Sequence, residues 1–266
     1  MRPGRAAGVR GPGKWALPGL VLSLMAALPA AGADTLPPGF TYLEDIAPSV
    51  AQDIRYAGAD NFTGRRLKGY LAPRCILTRA AAAALKRAAD KLQARGLGLK
   101  VLDCTRPARA VRDIIAWAKD KRPAPTRAYY FPAYTKPGLF RAGFIARRSS
   151  HSRGSAVDIT LVRLPAPAPA AAIGRATERD GLRCDAPTPA GRRARPGELD
   201  MGTDFDCFSK LSATASQRVG AAARANRQLL LRVMRGAGFV NFSGEWWHYK
   251  LKLEPFPARS FDFPIR

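Results

Sequence analysis

The sequence predicts a single α+β domain in which a mainly antiparallel sheet is packed with two or three helices. Three observations carry this. Only three segments show helical apolar spacing. Two segments read as buried strands, and two more read as strands paired around Ser243-Gly244. No internal repeat is apparent, and the length suits one core of ordinary size.

The first 33 of the 266 residues read as a leader. Arg2, Arg5, Arg10 and Lys14 make a basic start without acids. Trp15 to Ala30 is apolar but broken by Pro18, Gly19 and Pro29, and Ala31-Gly32-Ala33 fits a small-residue cleavage site. The run is too short and too broken for a comfortable membrane span. Residues 1–33 are therefore expected to be a signal peptide, with 34–266 as the mature domain, exported to the periplasm or beyond the cell.

Asp53 to Tyr70 is polar, with a turn signal at Asn61-Phe62-Thr63-Gly64. Thr78 suits an N-cap, and Leu85, Ala88 and Leu92 then share one helical face until Gly96 stops it. Gly98 to Cys104 reads as a buried strand. Pro107 suits the first turn of a second helix, with Ala110, Val111, Ile114, Ile115 and Ala118 as its stripe and Pro123 beyond its end. Ala156 to Val162 is a strand with Asp158 in its middle. Residues 164–199, rich in Pro, Ala, Arg and Gly, are expected to form a long surface loop. Ser216 to Arg235 reads as the third helix, presenting Leu229, Leu230, Val233 and Met234 to the core. Phe239–Phe242 and Trp246–Leu251 form the paired strands, and the Pro-rich C-terminus is expected to lie across the surface.

The formal charge is +24, and removal of the four basic residues of the leader leaves +20. Those cations are dispersed, and no nucleic-acid motif accompanies them. In an exported chain they suit anionic envelope polymers better than nucleic acid. Cys75, Cys104, Cys184 and Cys207 make an even count, which favours disulfides in an oxidising compartment. Three pairings are possible; Cys75–Cys104 and Cys184–Cys207 are favoured because each joins neighbouring segments. The absence of a CxxC pattern disfavours a cysteine-zinc site.

Only two histidines occur. His151 lies in Ser149-Ser150-His151-Ser152-Arg153-Gly154-Ser155-Ala156-Val157-Asp158, and His248 in Gly244-Glu245-Trp246-Trp247-His248-Tyr249. Two imidazoles and a carboxylate satisfy the three-ligand count of a catalytic zinc, which leaves one position for water. Glu245, three residues before His248, is placed to act as a base on that water. The pattern thus predicts a metallohydrolase with one Zn²⁺ per chain in a cleft.

From about Tyr42 onward the chain resembles the D-alanyl-D-alanine dipeptidases, the zinc enzymes known from vancomycin resistance. The resemblance rests on Tyr56 with Asp60-Asn61-Phe62-Thr63-Gly64, on Asp103-Cys104-Thr105-Arg106-Pro107 and on the stretch from Ser150 to Leu161. Met201-Gly202-Thr203-Asp204-Phe205-Asp206 and Glu245-Trp246-Trp247-His248-Tyr249 complete it. It implies His151, Asp158 and His248 as zinc ligands, Glu245 as general base and Arg106 as oxyanion stabiliser. It places Asp206 and Tyr56 at the substrate ammonium, and Ser149 and Tyr70 at its carboxylate. Trp246 and Trp247 are expected to pack around the metal site. The long 164–199 segment, which adds Cys184, and the cysteines at 75 and 104 depart from the compact family pattern.

The implied reaction is hydrolysis of D-Ala-D-Ala to two D-alanines, in wall turnover or glycopeptide resistance. A zinc D,D-carboxypeptidase or endopeptidase acting on longer peptidoglycan stems is the nearest alternative, and Asp206 argues against it because a carboxylate rewards a free ammonium over an amide. A non-catalytic wall-fragment-binding protein is the alternative of another class, disfavoured by the intact ligand set and glutamate.

Overall fold

The computed structural model describes residues 36–165, 183–186, 195 and 197–266, together with Gly8. The expected leader, Gly8 apart, and most of the expected loop at 164–199 lie outside the described residues. The chain divides into two units, Met1–Thr35 and Leu36–Arg266, and the second holds the elements that follow. In chain order they are β1 (Phe40–Tyr42), α1 (Leu43–Ile46), β2 (Ala51–Gln52), β3 (Ile76–Thr78), α2 (Arg79–Gln93), β4 (Leu97–Asp103), α3 (Ala108–Lys119), α4 (Arg127–Tyr130), α5 (Lys136–Arg141), β5 (Ala156–Arg163), α6 (Ala221–Gly236), β6 (Phe239–Asn241) and β7 (His248–Leu251).

A five-stranded sheet in the order β2-β4-β5-β7-β6 forms the frame, and β1 pairs with β3 apart from it. All pairs are antiparallel except β2 with β4, so the expected α+β class holds. The strands β4 and β5 are buried almost throughout. Their register runs regularly from Leu97↔Arg163 to Val101↔Ile159 and then shifts, so that Asp103 faces Asp158. Across the next ladder Asp158 faces His248. Directly opposed residues in an antiparallel ladder have Cβ atoms about 4.5–5.5 Å apart on one face. The irregularity in β4 thereby lines up Asp103, Asp158 and His248 across three strands, a common use of a strand irregularity beside a functional site.

Each predicted long helix is present. Thr78 caps α2 by accepting from the Ala81 N–H, and Leu85, Ala88 and Leu92 are fully buried. Helix α3 follows Pro107 and ends at Lys119, four residues before Pro123. Its buried face includes Asp113 and Trp117, whereas Ile115 is only half-buried. Helix α6 begins at Ala221, five residues later than the pattern suggests, with Gly220 at its N-cap. Leu230 and Met234 are buried as expected, but Arg227 is fully buried beside them.

The C-terminal segment lies along the surface as expected, and two buried side chains anchor it there. Phe261 and Ile265 are buried, the Phe261 N–H donates to the Ser152 carbonyl at 2.7 Å, and the Ile265 carbonyl accepts from Leu71 and Ala72. Phe40 collects Phe256, Phe261 and Phe263 around it at centroid separations of 5.8, 4.7 and 5.0 Å. Aromatic burial outweighs the proline content here, since each ring hides a large apolar area.

That cluster presses on the turn that carries His151. Gly154 has φ +79°, and a Cβ there would stand 2.2 Å from Phe40 Cε1. Gly154→Ala combines a left-handed cost of about 1–2 kcal/mol with overpacking of about 1–3 kcal/mol. Thermal unfolding is expected to show a large destabilisation, with partial recovery in a Gly154→Ala, Phe40→Leu double variant.

Candidate metal centre

The residue Ser149 opens a short 3₁₀ turn, Ser150–Arg153, by accepting from the His151 N–H, and Gly154 closes it in the left-handed region. The turn projects His151 toward the row formed by Asp158 and His248. His151 Nε2 lies 3.0 Å from His248 Nδ1 and 3.2 Å from Asp158 Oδ1. His248 Nδ1 lies 3.0 Å from Asp158 Oδ1. Donors about 2.0–2.1 Å from a tetrahedral ion stand about 3.3–3.4 Å from one another, so the triangle is only slightly tighter than a zinc site demands. Among the described residues it is the one metal-competent group of three.

Each imidazole is oriented from behind. His151 Nδ1 is 2.8 Å from the Cys104 carbonyl oxygen; a carbonyl carries no proton, so Nδ1–H donates and Nε2 keeps its lone pair for a metal. With the His248 lone pair on Nδ1, its Nε2–H donates to Ser150 Oγ at 3.0 Å. Burial lowers the His248 pKa, which favours the neutral ligand form. Burial opposes ionisation of Asp158, but His151 and His248 more than offset it and hold this carboxyl below the usual range.

The disulfide Cys75–Cys104 is formed, as is Cys184–Cys207. The first joins the start of β3 to the residue whose carbonyl orients His151. The second links the described part of the 164–199 segment to the residue after Asp206. The described residues of that segment are anchored: Cys184 is enclosed, buried Arg195 pairs with Asp60, and half-buried Leu199 donates to the Leu161 carbonyl.

A cavity of about 280 Å³ lies over the triad. Tyr56, Arg106, Ser149, Asp206 and Glu245 line it together with the three ligand candidates. Eight of the nine residues singled out from sequence are thus brought together. Tyr70 is not on the wall. Its buried hydroxyl donates to Asp103 Oδ1 at 2.6 Å. Asp103 Oδ2 in turn holds Arg106, with Nε at 2.9 Å and Nη2 at 2.8 Å. Arg106 also approaches Asp158 at 3.5 Å and lies 4.6 Å over the Tyr56 ring. Trp247 lines the cavity, whereas Trp246 turns away and donates to Thr203 Oγ1 at 2.8 Å.

Two buried carboxyls face this space. Burial pushes Glu245 well up, Asp158 and Asp206 add to that, and Arg106 opposes it. Burial, aided by Asp158, pushes Asp206 up to about 8. Asp206 accepts from the Tyr56 hydroxyl at 2.8 Å and adopts φ 58°, the only non-glycine positive φ among the described residues. A strained backbone carrying a costly buried acid is the kind of feature retained at functional sites.

Sequence reasoning did not single out Asp103, Ser150, Arg148, Phe144, Phe208 or Phe242, of which Asp103 supports Arg106 and Ser150 supports His248. Asp103 was visible as the first residue of a quoted motif, but nothing local told its role. Phe144, Phe208 and Phe242 gather on the wall only through tertiary packing.

A family model described as D-ala-D-ala dipeptidase matches residues 37–180 and 181–266. The chain is 35% identical over 227 residues to a D-alanyl-D-alanine dipeptidase of Streptomyces coelicolor, covering 85% of this chain and 98% of the relative. It is 34% identical over 229 residues to one from Enterococcus faecium, covering 86% and 98%. It is 31% identical over 214 residues to one from Escherichia coli, covering 79% and 85%.

The Asp206 environment gives a pH prediction for the metal-free protein. Its folded pKa, about 8, exceeds the ordinary aspartate value of about 3.9. The unfolded chain therefore releases this proton first, and the native state is penalised as pH rises. Relative to Asp206→Asn, the wild type is expected to lose stability from about pH 4 until the loss saturates above about pH 8. Denaturant titrations of both proteins at several pH values measure this; a difference independent of pH would contradict it.

Proposed function

Because the chain belongs to the D-ala-D-ala dipeptidase family, we propose that it is an exported zinc peptidase hydrolysing free D-Ala-D-Ala to two D-alanines. The observation that carries this is the small cavity that joins the His151–Asp158–His248 triangle to the buried acids Glu245 and Asp206. About 280 Å³ falls just below the usual span of ligand pockets, about 300–1,000 Å³, which suits a ligand as small as a dipeptide.

His151, Asp158 and His248 would hold one zinc ion, which supplies Lewis acidity to polarise the scissile carbonyl and acidify water. Glu245 takes the proton of the attacking water and passes it to the leaving amine. Burial raises its pKa above the ordinary glutamate value, which strengthens the carboxylate as a base toward that proton. Arg106 neutralises the oxyanion that develops in the tetrahedral species. Asp103 fixes the guanidinium, and Tyr70 acts through Asp103, away from the substrate carboxylate. Asp206, aided by Tyr56, receives the ammonium of the free dipeptide, and Ser149 offers a hydroxyl to its carboxylate.

Asp206 also separates this reading from a carboxypeptidase or endopeptidase. A longer stem would bury an uncharged amide against this acid and leave the carboxylate unpaired. Two disulfides suit an oxidising compartment, and no helix among the described residues is long and apolar enough to cross a membrane. The charge of the mature domain suits a setting among anionic envelope polymers.

The test is release of D-alanine from D-Ala-D-Ala by the chain beginning at Asp34, with chelated and zinc-restored samples and an N-acylated substrate. Zinc-dependent cleavage of the free dipeptide alone is expected, with one zinc per chain by metal analysis. Glu245→Gln is expected to lower kcat by about 10²–10⁴ while retaining zinc. Preferred cleavage of the acylated peptide would move the protein to the carboxypeptidase reading.

A further inference from the structure

We infer that Arg148 is the residue that binds the substrate's terminal carboxylate and so restricts the enzyme to peptides that end inside the cavity. The inference rests on the dipeptidase reading above and concerns a residue that reading leaves without a role.

A free dipeptide brings one ammonium and one carboxylate into a small space. The ammonium has a partner in buried Asp206. With Asp158 engaged by the metal and Asp206 by the ammonium, Glu245 still opposes the carboxylate, which needs a cationic partner of its own on the wall. Among the described residues, two arginines and no lysine line the cavity: Arg106 and Arg148. Arg106 is committed to Asp103 and Asp158. It is also the group placed for the oxyanion, where charge appears only during reaction. Tyr70, the other group expected at the carboxylate, is turned onto Asp103.

Arg148 differs on each count. It stands on the wall formed by 143–150, immediately before Ser149, and its side chain is exposed at the mouth. No hydrogen bond or ion pair among the described residues engages its guanidinium. It can therefore offer a carboxylate its full planar fork, which matches two oxygens at once. Its neighbour Arg147 is also exposed but does not line the cavity. The two residues carry the same charge one position apart, and only Arg148 lines the cavity. An amide or a further residue at the C-terminus would lose this pairing.

The experiment compares wild type, Arg148→Ala, Arg148→Lys and the surface control Arg147→Ala on D-Ala-D-Ala and on its C-terminal amide. Charge-assisted pairs are commonly worth about tenfold to a hundredfold. Arg148→Ala is expected to raise KM for the free dipeptide by about that factor, with kcat little changed and the amide unaffected. Arg148→Lys should fall between, and Arg147→Ala should match wild type. Equal losses on both substrates, or an equal loss in Arg147→Ala, would overturn the inference in favour of general electrostatic attraction. An unchanged KM in Arg148→Ala would overturn it outright. Wild type inactive on the free dipeptide would instead sink the dipeptidase reading, and this inference with it.

Discussion

Three lone-pair donors held within 3.2 Å of one another set the terms for the rest of the molecule. Such a cluster is unfavourable by itself, because the donors repel and all three side chains are largely or wholly withdrawn from water. It persists because a rigid frame over-determines it. Asp158 and His248 are fixed by the β5–β7 register, and His151 by the 3₁₀ turn that ends in left-handed Gly154. The ring of Phe40 leaves Gly154 no room for a side chain. The C-terminal aromatic cluster thus reaches the candidate metal centre through a single steric contact.

Behind the candidate ligands lies a layer of committed polar groups. Asp103 is fully buried and divides its oxygens between Tyr70 and Arg106. The Cys104 carbonyl fixes the His151 tautomer, while the Cys104 side chain is tied to Cys75. Two consecutive residues at the end of β4 therefore orient both Arg106 and His151. The β4–β5 register shift turns Asp103 to the same row as Asp158, which makes that arrangement possible.

The loop bearing Asp206 is organised from the opposite chain direction. Arg227 on α6 donates to the carbonyls of Met201, Leu211 and Ala213, at 2.7, 2.9 and 2.8 Å. Burial lowers its pKa to about 10, yet it remains a cation at neutral pH, with carbonyl dipoles as its immediate partners. Thr203 adds a link to Trp246 and Ser212, and Cys207 is bonded to Cys184. Those restraints hold Asp206 in its positive-φ conformation, where Tyr56 meets it.

The sequence by itself determined the elements whose cause is local. Apolar spacing located the three long helices, Thr78 and Pro107 marked two of their starts, and two short motifs contained every metal-ligand candidate. The even cysteine count and the nearness of partners in sequence anticipated both bridges. Tertiary structure decided what depends on residues remote in the chain. Tyr70 lies 33 positions before Asp103 and becomes its hydrogen-bond partner only once β4 is in place. Arg227 looked like one more surface cation of a basic chain until α6 turned it inward, because helical period cannot reveal carbonyls supplied by a loop. Arg148 is equally indistinct among 44 cations. The cavity wall, and the lack of any competing partner, distinguish it, and both are properties of the folded chain alone.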